Sequence, residues 1–89
     1  MARYTHPLSD KGIKALKQPE KSTQHFDGGG LYLLHKKTNA KYWRLKYQFN
    51  GKEKLLAIGV YPKLFLKAAR AERAKAKLLI AEGIDPAEQ

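Results

Sequence analysis

The side chains best suited to recognise another molecule lie at alternate positions of the segment KYWRLKYQF, residues 41–49. Successive side chains of a β-strand point to opposite faces, so this alternation predicts a strand with one polar and one apolar face. A phenol, a guanidinium, an amine and an amide on one face provide the hydrogen-bonding groups that contact base edges and phosphates of duplex DNA. These polar-face residues are Tyr42, Arg44, Lys46 and Gln48.

Further residues extend this polar face on both sides. The turn before the strand is rich in amines, hydroxyls and amides, which we expect on flanking phosphates, where they fix register without reading sequence. Neighbouring strands add an aromatic, an acidic and an apolar side chain, and the aromatic ring is a candidate for stacking or phosphate contacts. The turn residues are Lys36, Lys37, Thr38, Asn39 and Lys41, and the residues from neighbouring strands are Tyr32, Glu53 and Leu55.

The overall charge favours a polyanionic partner. The 89 residues carry a net charge of +10, and seven Lys or Arg against one acidic residue fall between Leu31 and Leu56. A charge of this size on a small domain favours nucleic acid, with an acidic membrane surface as the next candidate. The alternative is that the charged face only keeps the domain soluble.

Length and composition limit the class of protein. A chain of this size forms one domain with a thin core, and without cysteine it has neither a disulfide nor a cysteine-based metal site. No apolar run approaches the roughly 20 residues that cross a bilayer, and residues 1–8 lack the apolar core of a secretory signal. We therefore expect a cytoplasmic domain with no membrane role.

The periodicity predicts an α+β fold: a short N-terminal helix, a three-stranded antiparallel sheet and one long C-terminal helix packed on that sheet. Ser9 predicts a helix N-cap, Asn50-Gly51 a type I′ hairpin, and Gly83 a left-handed helix end. We take residues 1–89 as a single domain with an ordered core at about 8–84. The predicted elements are a helix from Ser9 to about Lys17, a polar connector at 18–27, a glycine turn at 28–30, strands at 31–36, 41–49 and 52–59, a helix at 66–82, and the start of a linker at 85–89.

The long helix covers one face of such a sheet, and nothing in the chain remains to cover the other, which an antiparallel sheet can leave in water. Arg73 interrupts the apolar stripe of the helix, and we expect its stem over apolar surface with its head in water. The other charged residues are typical of a soluble helix, and DNA contact by them is the less favoured interpretation. The stripe contains Leu66, Ala69, Ala76, Leu79 and Ile80, and the basic residues are Lys67, Arg70, Arg73, Lys75 and Lys77.

The sequence contains no motif for catalysis. His6, His25 and His35 have no carboxylate or cysteine at metal-ligand spacing, and the glycine run at 28–30 lacks the Lys-Ser/Thr of a phosphate-binding loop. By parity His35 falls on the apolar face, where we expect a partly buried structural histidine, and Trp43 is expected in the core. We predict no catalytic residue, cofactor, metal or small-molecule substrate.

Several specific motifs occur together along residues 8–86. They are DGGGLYL at 27–33, Lys41 with Trp43 and Tyr47, LAIGVYP at 56–62, Ala69-Arg70, and GIDP at 83–86. In combination they resemble the amino-terminal arm-type DNA-binding domain of prophage and genomic-island integrases, the P4-like tyrosine recombinases. The resemblance implies a three-stranded sheet that lies in the major groove of double-stranded DNA, at arm-type sites flanking a phage attachment site.

The resemblance also implies a longer enzyme, in which core-binding and catalytic domains follow and other integrase protomers act on the same DNA in a bacterial host. The nucleophile would lie outside this chain, because its tyrosines lack a surrounding Arg and His cluster. Tyr42, Arg44 and Lys46 match family positions on the sheet. Leu34 and Leu55 stand where relatives often have a basic or polar residue, so the resemblance does not extend direct readout to the outer strands at these two positions.

Other functions use similar surfaces. A module for structured RNA would employ the same basic sheet but prefer RNA over DNA of identical sequence. A protein-interaction domain would bind its partner almost independently of salt, whereas nucleic-acid binding weakens steeply as salt rises. The long helix lacks the bulky apolar face that inserts in lipid, so a membrane-surface role is the least favoured alternative.

Overall fold

The computed structural model describes residues 8–88 and has an α+β fold. Two helices and one antiparallel sheet with strand order β1-β2-β3-β4 make up this part of the chain. Tyr4 and His6 lie outside the described residues, as does Gln89 of the predicted linker. The elements are α1 (Asp10–Lys14), β1 (Thr23–Gly28), β2 (Leu31–His35), β3 (Lys41–Phe49), β4 (Lys52–Tyr61), α2 (Leu66–Ala81) and a 3-10 turn at Pro86–Glu88.

The sheet has four strands rather than three, because β1 occupies much of the segment that the sequence predicted as a connector. β1 lies at the edge of the sheet and pairs only with β2. Its single large apolar residue, Phe26, packs on Tyr32 of β2 with ring centroids 5.0 Å apart. The strand escaped sequence analysis because an edge strand with one apolar residue lacks the alternation that marks a buried strand.

The other sheet predictions are close to the structure. β3 has the predicted limits, and the hairpin after it has positive φ at both central residues, 52° at Asn50 and 77° at Gly51. β4 runs two residues further than predicted and contains a bulge, because Trp43 pairs with Gly59 while Arg44 pairs with Ala57. The bulge reverses the alternation of the last residues of β4, so parity counted from the hairpin assigns them to the wrong face.

The core lies between the sheet and α2. Trp43 is fully buried there, and its indole Nε1 donates to the Leu64 carbonyl at 2.7 Å. α2 ends one residue before the predicted limit, and the amides of Gly83 and Ile84 donate to carbonyls of its last turn, which confirms the predicted left-handed end. The buried cluster consists of Ile13, Leu31, Leu33, Trp43, Leu45, Tyr61, Leu66, Ala69 and Ala76.

Residues 85–88, which the sequence predicted as the start of a linker, are packed on the domain. Asp85 is only 4% exposed and accepts hydrogen bonds from the Tyr47 hydroxyl at 2.5 Å, from the Lys54 amine, and from the Ala87 amide at 3.0 Å. The hydrogen bonds from Lys54 and Tyr47 hold the pKa of Asp85 below its ordinary value against the effect of burial. These contacts fix residues 85–88 against β3 and β4.

The short helix α1 stabilises the long one. Ser9 caps α1 as predicted, with its Oγ accepting from the Gly12 amide at 3.0 Å. Asp10 reaches across to α2, where its Oδ1 accepts from the Leu66 amide at 3.2 Å. α2 has no acidic residue in its first turn, and Phe65 at its N-cap has no side chain that accepts a hydrogen bond. Asp10 therefore provides both the cap and the negative charge at this helix end.

Replacing Asp10 with Ala is expected to lower the free energy of unfolding by about 1 kcal/mol, the usual loss for a helix cap. Asp10→Asn keeps an oxygen acceptor and removes the charge, so it should lose less. Urea unfolding followed by the fluorescence of Trp43, the single tryptophan, measures both variants. Glu20→Ala at an exposed residue is the control, and equal losses for Asp10→Ala and this control would contradict the capping role.

Candidate nucleic-acid interface

One face of the sheet carries the buried cluster and α2, and the opposite face carries most of the residues that the sequence proposed for binding. We call this opposite face the open face. Cross-strand pairing arranges it in four rows that run across the strands. The rows are Gln24, Leu34, Tyr42 and Val60; Phe26, Tyr32, Arg44 and Ala57; Lys46 and Leu55; and Gln48 and Glu53.

The central strand of the open face presents two cations without acidic partners. Among residues 8–88, none of the ion pairs involves Arg44 or Lys46. The Arg44 guanidinium carbon lies 5.8 Å from the centroid of the Tyr42 ring, and the Lys46 amine lies 5.8 Å from that of Phe26. Aromatic faces attract cations without neutralising them. Both charges therefore remain available to an anionic partner.

The turn between β2 and β3 extends the open face at one end. Lys36, Lys37 and Thr38 are exposed there, and their contact with phosphates stays a prediction. Asn39 has a structural task as well, because its φ is 73° and its Oδ1 lies 2.7 Å from Nε2 of His35. His35 is 1% exposed, so it lies on the covered face as parity predicted and is fully rather than partly buried.

Two predicted site residues are not displayed on the open face. Tyr32 points toward it but is only 2% exposed, because the unforeseen strand β1 places Phe26 against its ring. The expectation that Tyr32 offers a free ring for stacking is therefore corrected. Lys41 is half-buried and lies on the same face of β3 as Trp43, which is the covered face.

Sequence analysis missed three residues of the open face. Gln24 and Phe26 belong to β1, whose single large apolar residue gave no polar-apolar alternation from which the strand could be predicted. Val60 is 46% exposed and pairs with Tyr42. It was missed because the predicted strand ended at Gly59, one residue too early. The bulge in β4 also reverses parity, so that even a longer predicted strand would have placed Val60 on the covered face.

The basic face of α2 is partly committed to the fold. Arg70 binds Asp27 through two parallel hydrogen bonds, from Nε to Oδ2 at 2.9 Å and from Nη2 to Oδ1 at 2.8 Å. Arg73 donates to Asp27 at 3.2 Å and to the Gly28 carbonyl at 2.8 Å. The prediction that its guanidinium lies free in water is therefore wrong. The cations of α2 that stay exposed are Lys67, Lys75 and Lys77.

The Asp27 carboxylate is held ionised by these arginines. Its side chain is 1% exposed, and burial alone would raise its pKa. Hydrogen bonds from Arg70 and from the Leu8 amide, together with the charges of Arg70 and Arg73, outweigh burial and keep the pKa of Asp27 below its ordinary value. Asp27 occupies a register shift between Phe26 and Gly28, which frees it from regular pairing with β2. The DGGGLYL motif and the Ala69-Arg70 pair thus meet in space.

Other kinds of site find no support in the described part of the chain. Residues 8–88 contain no group of three or more His, Cys, Asp or Glu side chains that could hold a metal ion. His25 and His35 lie with ring centroids 6.2 Å apart, and burial, then the charge of His35, lowers the pKa of His25. No helix between residues 8 and 88 is long and apolar enough to cross a membrane.

Comparison with known proteins finds a matching family model and several similar integrases. The model of the family described as Arm DNA-binding domain matches residues 8–89. The chain is 43% identical over 81 residues to the integrase of Enterobacteria phage P4, and 41% identical over 90 residues to the prophage integrase IntA of Escherichia coli strain K12. The integrase of Shigella phage Sf6 is 43% identical over 79 residues. These alignments cover 89% to 99% of the chain, which spans about a fifth of the length of these relatives.

Proposed function

The chain belongs to the Arm DNA-binding domain family, and from this premise we propose that it binds duplex DNA through the open face of its sheet. The observation that carries the proposal concerns Arg44 and Lys46 on the inner strand β3. Within residues 8–88 these two cations have no ion-pair partner, and no helix covers the face that they share. A guanidinium held over Tyr42 is suited to donate two hydrogen bonds to guanine in the major groove.

The dimensions of the open face suit this groove. Neighbouring strands lie about 4.8 Å apart, and the major groove is about 12 Å wide, enough for a two-stranded ribbon. β3 with one neighbour therefore fits, while Lys36, Lys37 and Thr38 at the end of the ribbon meet phosphates. A-form RNA has a major groove too deep and narrow for side chains to read, so the same ribbon favours DNA.

The similarity to integrases extends the proposal to a biological role. Integrases of phages and prophages match nearly the whole chain, which supports a role in site-specific integration of DNA. We place the DNA contact at arm-type sites beside the attachment site, in the bacterial cytoplasm and together with other integrase protomers. The strand-cleaving chemistry belongs to a tyrosine recombinase of which this chain is the DNA-binding part.

Arg44→Ala is expected to lower affinity for a specific duplex by about 1–3 kcal/mol and to relax the preference at one base pair. Lys37→Ala should instead weaken binding to specific and random duplexes alike, because a phosphate contact carries no sequence information. Fluorescence anisotropy titrations with both duplexes measure the two effects. Lys67→Ala on α2 removes an equal charge away from the open face and is the matched control.

Salt dependence and nucleic-acid preference complete the test. Contacts to about five phosphates predict a slope near −4 to −5 for log affinity against log salt. A slope near zero would instead indicate a protein partner. Tighter binding to RNA of the same sequence would indicate the RNA module, and equal losses on specific and random DNA for Arg44→Ala would remove base readout from the proposal.

A further inference from the structure

The open face is not uniformly polar. Leu55 is 51% exposed and Val60 46% exposed, and Leu34 beside them is half-buried. Single exposed apolar side chains are ordinary on any protein surface. These three share one face with the unneutralised Arg44 and Lys46, however, and that face is the one proposed to meet DNA.

Pairing places the apolar side chains in two separate rows. Leu34 and Val60 flank Tyr42 in the first row, and Leu55 lies opposite Lys46 in the third. Arg44 occupies the row between them. Along β3, adjacent rows are two residues apart, or about 6.6 Å. Apolar contacts are thus available on both sides of the guanidinium.

The major groove offers only one apolar group to such side chains, the C5-methyl of thymine. We infer that Leu55, and Val60 together with Leu34, contact thymine methyl groups, so that the chain selects duplexes with thymine on both sides of the base pair contacted by Arg44. This inference rests on the proposed function and adds to it the chemical feature that the duplex must carry.

Charge complementarity favours DNA over a protein as the occupant of this surface. Burying Arg44 and Lys46 against an apolar protein partner would be costly, because it would desolvate two cations that pair with no carboxylate in the described part of the chain. A DNA groove supplies phosphates for the cations and methyl groups for the leucines and valine at the same surface. The mixture of exposed apolar and cationic side chains therefore matches a thymine-containing groove.

The test begins with duplexes selected from a random pool by this chain. Each thymine of a selected duplex is replaced in turn by deoxyuridine, which removes only the C5-methyl group and leaves every hydrogen-bonding group in place. Loss of one buried methyl group is expected to weaken binding roughly fourfold. Thymines outside the contacted positions should show no change, and they serve as internal controls.

Protein variants link each methyl to one side chain. Leu55→Ala should weaken binding to the thymine duplex, and the same variant should no longer distinguish thymine from deoxyuridine at one position. Val60→Ala should do the same at a different position. Leu78→Ala is the matched control, because Leu78 is an equally apolar side chain, 67% exposed, on α2. It should bind both duplexes as the unaltered chain does.

The outcomes separate this inference from the proposed function. Selected duplexes that bind equally well with thymine and deoxyuridine would overturn methyl recognition and leave duplex binding intact. Full sensitivity to deoxyuridine in both Leu55→Ala and Val60→Ala would overturn methyl recognition by these side chains in the same way. Failure to enrich or bind any duplex would overturn the proposed function itself, and the inference with it.

Discussion

Replacing Gly30 with Ala is expected to lower the free energy of unfolding by about 4 kcal/mol or more, which only a few kinds of single substitution do. Gly30 has a φ of 90°, and a Cβ built on it would lie 2.2 Å from the carbonyl oxygen of Lys46. That oxygen belongs to the backbone of β3 and cannot turn away as a side chain would. The Gly30 carbonyl also accepts from the Lys46 amide at 2.8 Å, so separating the strands breaks this bond.

The cost of the clash can be separated from the cost of positive φ. Gly83 has a φ of 79°, and a Cβ there would meet no atom within 4 Å. Gly83→Ala should therefore lose only about 1–2 kcal/mol for the left-handed conformation. Urea unfolding followed by Trp43 fluorescence compares the two variants. Equal losses would show that the clash between an added Cβ at residue 30 and the Lys46 carbonyl has no cost in free energy of unfolding.

The same substitution has a consequence for DNA binding. Gly30 packs directly on the backbone of Lys46, one of the two unneutralised cations of the open face. If part of the Gly30→Ala protein folds, its β3 must shift at this residue, and we expect weaker DNA binding by the folded fraction. Gly83→Ala leaves β3 unchanged and should bind DNA normally once folded.

Elements with strong local signals were predictable from the sequence. Residues 41–49 alternate without interruption, Asn50-Gly51 fixes the turn that follows, and the period of α2 differs plainly from that of a strand. Together they define a sheet with one covered face, and hence a candidate site at Tyr42, Arg44 and Lys46. Each of these signals arises from a few residues that are adjacent in the chain.

Features that depend on distant contacts were not predictable. β1 forms because β2 offers it a partner, and its six residues contain only Phe26 as a large apolar side chain. The bulge at Ile58 moves Val60 to the open face, and the continuous apolar run at 55–61 has no polar-apolar alternation that would assign its residues to a face. Arg70 looked like a surface cation because its partner, Asp27, lies 43 residues away. A single sequence carries no record of such pairings.

Arg70→Ala is expected to lower the free energy of unfolding by about 3 kcal/mol, because it leaves the buried Asp27 carboxylate without its main partner. This is the lower end of the loss for a buried pair, since the Arg70 side chain is itself 38% exposed. The buried carboxylate of Asp27 would keep a longer hydrogen bond from Arg73, at 3.2 Å, and the hydrogen bond from the Leu8 amide, at 2.8 Å. Arg70 also donates to the Leu8 carbonyl at 3.0 Å, and alanine cannot make this hydrogen bond either. Arg70→Lys should recover only part of the loss, because one amine cannot make two parallel hydrogen bonds.

The pH dependence of stability identifies Asp27 as the cause. The pKa of Asp27 in the folded chain lies below its ordinary value, so its stabilising contribution is complete above the unfolded pKa and is lost as pH falls through the folded one. In Arg70→Ala, burial still disfavours the carboxylate while the main opposing contact is gone, so its pKa should rise. Unfolding free energies measured between about pH 7 and pH 3 should therefore fall less for this variant than for the unaltered chain, because its folded and unfolded states take up the Asp27 proton at more similar pH.

Lys75→Ala is the matched control for a lost cation on α2. Lys75 lies 3.4 Å from Glu72 with its side chain 74% exposed, and an exposed pair of this kind contributes about 1 kcal/mol or less. Parallel pH profiles for Arg70→Ala and the unaltered chain would contradict the structural role of the Asp27 pair.

Arg70 lies off the open face, so folded Arg70→Ala should keep its ratio of specific to random DNA affinity and its salt slope. A salt slope reduced by about one would instead assign Arg70 to a phosphate and bring α2 to the DNA.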